Sequence, residues 1–236
     1  MTEPVLFVPG LASDARVFAP QVNALSREHV VQVASLAGED SIRAMAAQSL
    51  SNAPPKFALV GQGMGGVVAL EMAHRAPDRV TRLALISTSP LPDSPEAAAA
   101  REPVIVKAQS GGLDEAFRSV FHMDTLAEGP VRGPVWALMH KMALELGAEV
   151  FVRHQRAMQR RPDTQKVLRV VKMPVLVLAG EADRIVPVQR QQFMAQLVPY
   201  AQMKILSGAG HVPSLETPAA MISALETWLT QPMVLR

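Results

Sequence analysis

The feature that most restricts how this chain can fold is a rhythm. Short, nearly continuous apolar runs recur between longer stretches of helical spacing. The runs are VLFVPG at residues 5–10, VVQVAS at 30–35, FALVG at 57–61 and VTRLALIST at 80–88; MPVLVLAGEAD and AQMKILSGAGH follow later. A segment apolar at successive positions suits a strand covered on both faces, and strands alternating with helices imply βαβ units and a parallel sheet. Between the runs, residues 41–50 place Ile42, Met45, Ala46 and Ser49 on one side of a helix, and GGVVALEMAHRAP is a helix that Pro77 closes.

From Pro90 to about Pro162 the rhythm stops. Helical spacing is found near 95–109, 113–121, 134–146 and 149–160, with no convincing strand. Strand character returns afterwards, and residues 188–197 and 218–229 supply further helices. The expectation is an α/β core of residues 1–89 and 163–236, a mostly parallel doubly wound sheet, interrupted by a helical insertion at 90–162. A length of 236 residues fits one such domain. A chain of this size buries about 70% of its unfolded surface and needs no covalent staple.

Composition narrows the function classes. There are no cysteines, which removes disulfides, thiolate metal sites and cysteine nucleophiles. The net charge is only +2, the densest basic group is Arg160-Arg161 with Arg153 and Arg156 nearby, and aromatics make up 4%, so no nucleic-acid face is expected. No apolar stretch is long enough for a membrane span, and MTEPVLFVPG lacks the charged and apolar regions of a signal peptide, so the expected location is cytoplasmic. The glycines at 61, 63, 65 and 66 do not have dinucleotide spacing, and no acidic residue stands about 20 positions on at the end of a second strand. No His and carboxylate spacing suits a metal, so neither cofactor nor metal is expected.

Three places bear chemistry. Gly61-Gln62-Gly63-Met64-Gly65 joins a strand to a helix, the context of a turn that presents a nucleophile. Taken alone, Gly63 is a turn residue that supplies positive φ. Asp183 lies just past one strand and His211 just past the last, where parallel sheets gather ligands. For Asp183 the plain alternative is a helix or turn cap; for His211, a loop histidine with its hydrogen bonds satisfied.

Taken together, FVPGLAS, GQGMGG, GEADRIVP and GAGHVPSLETP, in that order, resemble the α/β-hydrolase family over essentially the whole length. The resemblance implies an oxyanion loop, a Gly-x-Ser-x-Gly-Gly elbow, an acid loop, a histidine loop and a cap formed by the insertion. It further implies His211 as general base, Asp183 as the residue that orients it, and backbone N–H donors at Met64 and at Leu11 or Ala12 for an oxyanion. The nucleophile position falls on Gly63, which has no hydroxyl, so an acyl-enzyme through this residue is impossible.

The function implied is therefore an ester or acyl hydrolase scaffold for a small, mainly apolar substrate, with the elbow serine replaced by glycine, naturally or by design. Two other classes fit the same residues. One is a His/Asp-dyad lyase or cofactor-free oxygenase, and the other a binding protein that kept the pocket. Ser13 stands near the oxyanion loop but nothing there forces it outward, and Asp14 is placed to cap the next turn. His122, His140 and His154 are expected to pack within the insertion, and His74 to sit at a helix C-terminus. Met123, Met139, Met142 and Met158 suit both core packing and an apolar pocket wall.

Overall fold

A computed structural model describes residues 2–199 and 201–232. Among these, six strands form one parallel sheet: β1 (Val5–Val8), β2 (Val31–Val33), β3 (Phe57–Gln62), β4 (Val80–Ile86), β5 (Val175–Gly180) and β6 (Gln202–Leu206). The helices are α1 (Ala19–Leu25), α2 (Ile42–Asn52), α3 (Met64–Arg75), α4 (Pro95–Gln109), α5 (Leu113–Val120), α6 (Arg132–Gln159), α7 (Gln165–Val170), α8 (Val188–Gln196), α9 (Pro213–Glu216) and α10 (Pro218–Leu229). The spatial order β2-β1-β3-β4-β5-β6 is the doubly wound parallel sheet expected from the apolar runs.

The runs are apolar throughout because each strand feeds two cores. Val5, Phe7, Ala58, Val60, Leu176 and Leu178 face one layer, which includes α1 and α10 and the fully buried Trp228. Their neighbours Leu6, Val8, Leu59, Leu83, Val175 and Val177 face the other, against α2, α3, α7 and α8. Full burial of each such side chain contributes about 1.5–3 kcal/mol, so two packed faces define the register strongly. The edges behave differently. β6 is largely exposed, and β2 shortens to three residues, leaving Val30 outside it and 64% exposed. An edge strand pairs on one side only, and β2 has just the four-residue β1 as partner.

Between β4 and β5 lie α4, α5, α6 and α7, with no strand among the described residues. Ser94 caps α4, accepting from the Ala97 N–H at 3.2 Å, and Pro95 follows at the first turn. α6 is one assigned helix, but Gly147 has φ 85° and ψ 169°, so its two halves meet at a break between the two helical stretches read from the sequence. α4 and α6 are held together by the Arg156–Glu102 pair at 2.5 and 2.8 Å and by Gln159 donating to the Ala98 carbonyl. α1, α7 and α9, at 7, 6 and 4 residues, are too short for helical periodicity to mark them in the sequence.

The chain runs from β1 outward to β2, then returns to the opposite side of β1 as β3. The strand order therefore reverses between β1 and β3, and ligands collect in the crevice outside such a reversal. Val8 pairs with Gly61, so the two strands end within one residue of each other and their following turns lie side by side.

Candidate active site

The turn after β3 is set by steric need. A Cβ on Gly61 would lie 2.4 Å from the Gly65 carbonyl oxygen, and one on Gly65 would lie 2.1 Å from the Val8 carbonyl oxygen. On Gly66 it would meet the Thr88 side chain at 2.5 Å. These three let α3 approach the sheet. Gly63 is different. Its backbone is at φ 57° and ψ −121°, yet a Cβ there would find only His211 Nε2 at 3.5 Å and Gly10 Cα at 3.8 Å. That is ordinary contact, so the position has room for a side chain and points it at the histidine. The Gly63 N–H donates to the Ile86 carbonyl at 2.9 Å, and Thr88 Oγ1 donates to the Gly63 carbonyl at 2.7 Å.

Asp183 follows β5 and is 5% exposed. Its Oδ1 accepts from the N–H groups of Ile185 and Val186, each at 2.9 Å, and both carboxylate oxygens lie 3.0 Å from His211 Nδ1. Asp183 thus holds its own loop and the histidine at once; the N-cap of α8 is Pro187. The His211 backbone N–H donates to the Thr125 carbonyl at 2.9 Å. Among the described residues the His211 ring makes its hydrogen bonds through Nδ1 and none through Nε2. Burial disfavours the His211 imidazolium, but the charge and hydrogen bond of Asp183, with the charge of Glu216, outweigh it and leave the pKa above the ordinary histidine value.

The oxyanion candidates separate. The Ala12 N–H donates to His154 Nδ1 at 3.0 Å and is occupied. The N–H groups of Leu11 and Met64 have no partner among the described residues, as expected for a loop tip and for the first residue of α3. Leu11, Gly63, Met64 and His211 line one cavity of about 520 Å³. Ser13 also lines it, but its hydroxyl donates to the Gly10 carbonyl at 3.0 Å. Asp14 caps the next turn through the Arg16 N–H.

Other histidines lie elsewhere. His140 stacks on Trp136 at 4.9 Å, while His122 and His74 are exposed. His154 is more than a packing residue: its Nε2 lies 3.1 Å from the Leu36 carbonyl while Nδ1 takes the Ala12 N–H. Met139 and Met158 line the cavity, Met142 is core and Met123 is 47% exposed. Sequence reasoning missed Ser87, which lines the cavity with φ 47° and a buried hydroxyl that has no partner. It also missed Asp93, Arg101 and Arg161 in the same wall. No local pattern marks these four. Among the described residues no group of three His, Asp or Glu side chains could hold a metal, and no helix is long and apolar enough to cross a membrane.

A doubly wound parallel sheet with a tight strand-to-helix turn and an Asp–His pair at its carboxyl edge is the architecture of an α/β hydrolase. A model of the alpha/beta hydrolase family matches residues 5–224, and the chain belongs to that family. It is 28% identical over 195 residues to a pimeloyl-[acyl-carrier protein] methyl ester esterase of Salmonella newport, covering 80% of this chain and 76% of that protein. Among solved structures it resembles a thermophilic esterase from Thermogutta terrifontis in its malate-bound form, with TM-score 0.88, 29% identity and coverage of 97% and 90% of the two chains. An enol-lactonase from Burkholderia xenovorans shares the fold, with TM-score 0.85, 23% identity and coverage of 98% and 93%.

Proposed function

We propose that this chain is a carboxylic-ester hydrolase scaffold in which position 63 is the nucleophile position, here glycine, with α4–α6 as the cap over the substrate pocket. The observation that carries the reading is the 3.5 Å from a Cβ on Gly63 to His211 Nε2. The neighbouring glycines have no such space, and the φ of 57° belongs to a turn that aims a side chain outward. The esterase names among the relatives support the acyl class.

With a hydroxyl at position 63, His211 Nε2 would take its proton as the oxygen attacks an ester carbonyl, and Asp183 would stabilise the imidazolium through Nδ1–H. The N–H groups of Leu11 and Met64 would receive the developing oxyanion. With glycine, that covalent route is closed. Oxyanion stabilisation and binding alone leave roughly 10³–10⁴-fold acceleration over water when a triad member is lost. Gly63→Ser is therefore expected to hydrolyse 4-nitrophenyl butyrate at least about 100-fold faster than the glycine protein. A folded Gly63→Ser protein with no gain would exclude this reading.

The unpartnered Nε2 beside an open space favours one second reading, in which the His211–Asp183 pair acts as a base without a protein nucleophile. It takes a proton from a substrate or from water lodged above Gly63. In that case the native reaction is lost in His211→Ala and does not improve in Gly63→Ser.

A further inference from the structure

The cavity has a second chemical end that the ester chemistry leaves unused. Asp93, in the segment leading into α4, lies between two guanidinium groups. Its Oδ2 accepts from Arg101 Nε at 2.6 Å, and its Oδ1 is 2.9 Å from Arg161 Nη2. The Asp93 and Arg161 side chains are 7% and 8% exposed. Arg190, on the exposed first turn of α8, lines the same space. Among the described residues these are the charged lining groups apart from His211, so three guanidiniums face one carboxylate. Burial holds the Arg161 guanidinium below its ordinary pKa, Asp93 opposes this, and the like charges of Arg101 and Arg190 add to it.

The hydrogen-bonding balance points the same way. Gln155 is fully buried and lines the cavity; its Oε1 accepts from Arg101 Nη1 at 2.6 Å, but its Nε2 has no partner. Arg161 Nε is likewise buried and unpartnered. Both unmet atoms of this cluster are donors, and an unmet buried donor is unfavourable until an acceptor arrives. Excess positive charge together with unmet donors selects an anionic acceptor, and guanidinium forks fit a carboxylate best. The rest of the wall is apolar, including Val104, Phe117, Val120 and Phe121.

We propose that Arg101, Arg161 and Gln155, with Arg190 at the rim, form a carboxylate subsite, so that the ester taken by this cavity carries a free carboxylate at the far end of an apolar chain. This rests on position 63 and His211 being the ester-processing end. The cavity then holds such a molecule at both ends, with its middle against the apolar wall.

The test is calorimetric titration of the Gly63 protein with monomethyl adipate and dimethyl adipate, two esters of equal chain length that differ in one charge. The monoester is expected to bind at least about tenfold more tightly. Arg161→Leu and Arg101→Leu should bring that ratio close to one. Arg190→Gln, at an exposed side chain outside the buried pair, should lower it about two- to threefold, and it decides the matter if the buried variants fail to fold. Equal binding of the two esters, no binding of the monoester at millimolar concentration, or a ratio unmoved by folded Arg variants overturns the subsite. Hydrolysis of dimethyl adipate by Gly63→Ser is measured alongside. Activity there without anion preference removes only the subsite; preference without activity removes only the hydrolase reading.

Discussion

At the scale of the residue, Gly63 and Gly65 make opposite predictions although they stand two positions apart. Serine at 63 meets no steric clash, since the nearest atoms are 3.5 and 3.8 Å from its Cβ. It does hold a non-glycine residue at φ 57°, which carries strain of about 1–3 kcal/mol. Loss of glycine's freedom in the unfolded chain returns about 0.4–1 kcal/mol. The net expectation is a destabilisation of about 1 kcal/mol, seen in calorimetry as a melting temperature about 2–4 °C lower for Gly63→Ser. A Gly63→Ser protein that melts higher than the parent would contradict the strained turn. Gly65→Ala places Cβ 2.1 Å from a backbone oxygen, which cannot swing away as a side chain can, so α3 must separate from β1. Its destabilisation should exceed that of Gly63→Ser severalfold. The glycine with open space above it is thus the replaceable one of the pair.

At the scale of the element, the loop between β6 and α9 shows how one side chain can shape a site it does not enter. Glu216, in α9, accepts from the backbone N–H groups of Ala127 at 2.7 Å, Gly210 at 2.9 Å and Val212 at 2.8 Å. It therefore brackets His211 on both sides and ties that loop to the segment ahead of α6. Burial raises the Glu216 carboxyl pKa, while those three N–H groups and the nearby His211 pull it back. Glu216→Gln keeps one acceptor oxygen but turns an NH₂ toward an N–H donor. Leaving a buried donor unmet costs about 1–3 kcal/mol. Chemical denaturation should show a loss in that range. Placed in the Gly63→Ser background, the change should, on the proposed reading, lower kcat more than it raises KM, because it loosens His211 and not the pocket wall. A raised KM with kcat unchanged would mean that Glu216 does not position His211.

At the scale of the whole molecule, what the sequence disclosed follows from how far apart the cooperating residues lie. Two-sided burial writes itself into every inner strand, so the sheet was legible, and Gly61–Gly65, Asp183 and His211 were legible because each sits in a local strand-end motif. The contacts that couple the helical layer to the core carry no such signature. Arg101 meets Gln155 across 54 positions, and Ala12 meets His154 across 142, so neither pair has a spacing that periodicity could detect. His154 joins three parts of the chain: α6, the loop after β1 and the loop after β2. Its pKa is lowered to about 4, chiefly by burial and also by Arg153, with the Leu36 carbonyl opposing. The neutral ring donates from Nε2 to Leu36 and accepts at Nδ1 from Ala12; a second proton would set N–H against N–H. The unfolded chain takes up that proton near pH 6.5, the folded protein only near pH 4, so stability is retained above pH 6.5 and lost as pH falls toward 4. The loss attributable to this group is about 3 kcal/mol. His154→Gln can still accept from Ala12 and donate to Leu36 but does not titrate. Its stability, followed by urea denaturation from pH 7 to pH 4, should fall less steeply than the parent's by about that amount. Parallel curves for the two proteins would show that acid acts on the fold through its carboxylates and not through this junction.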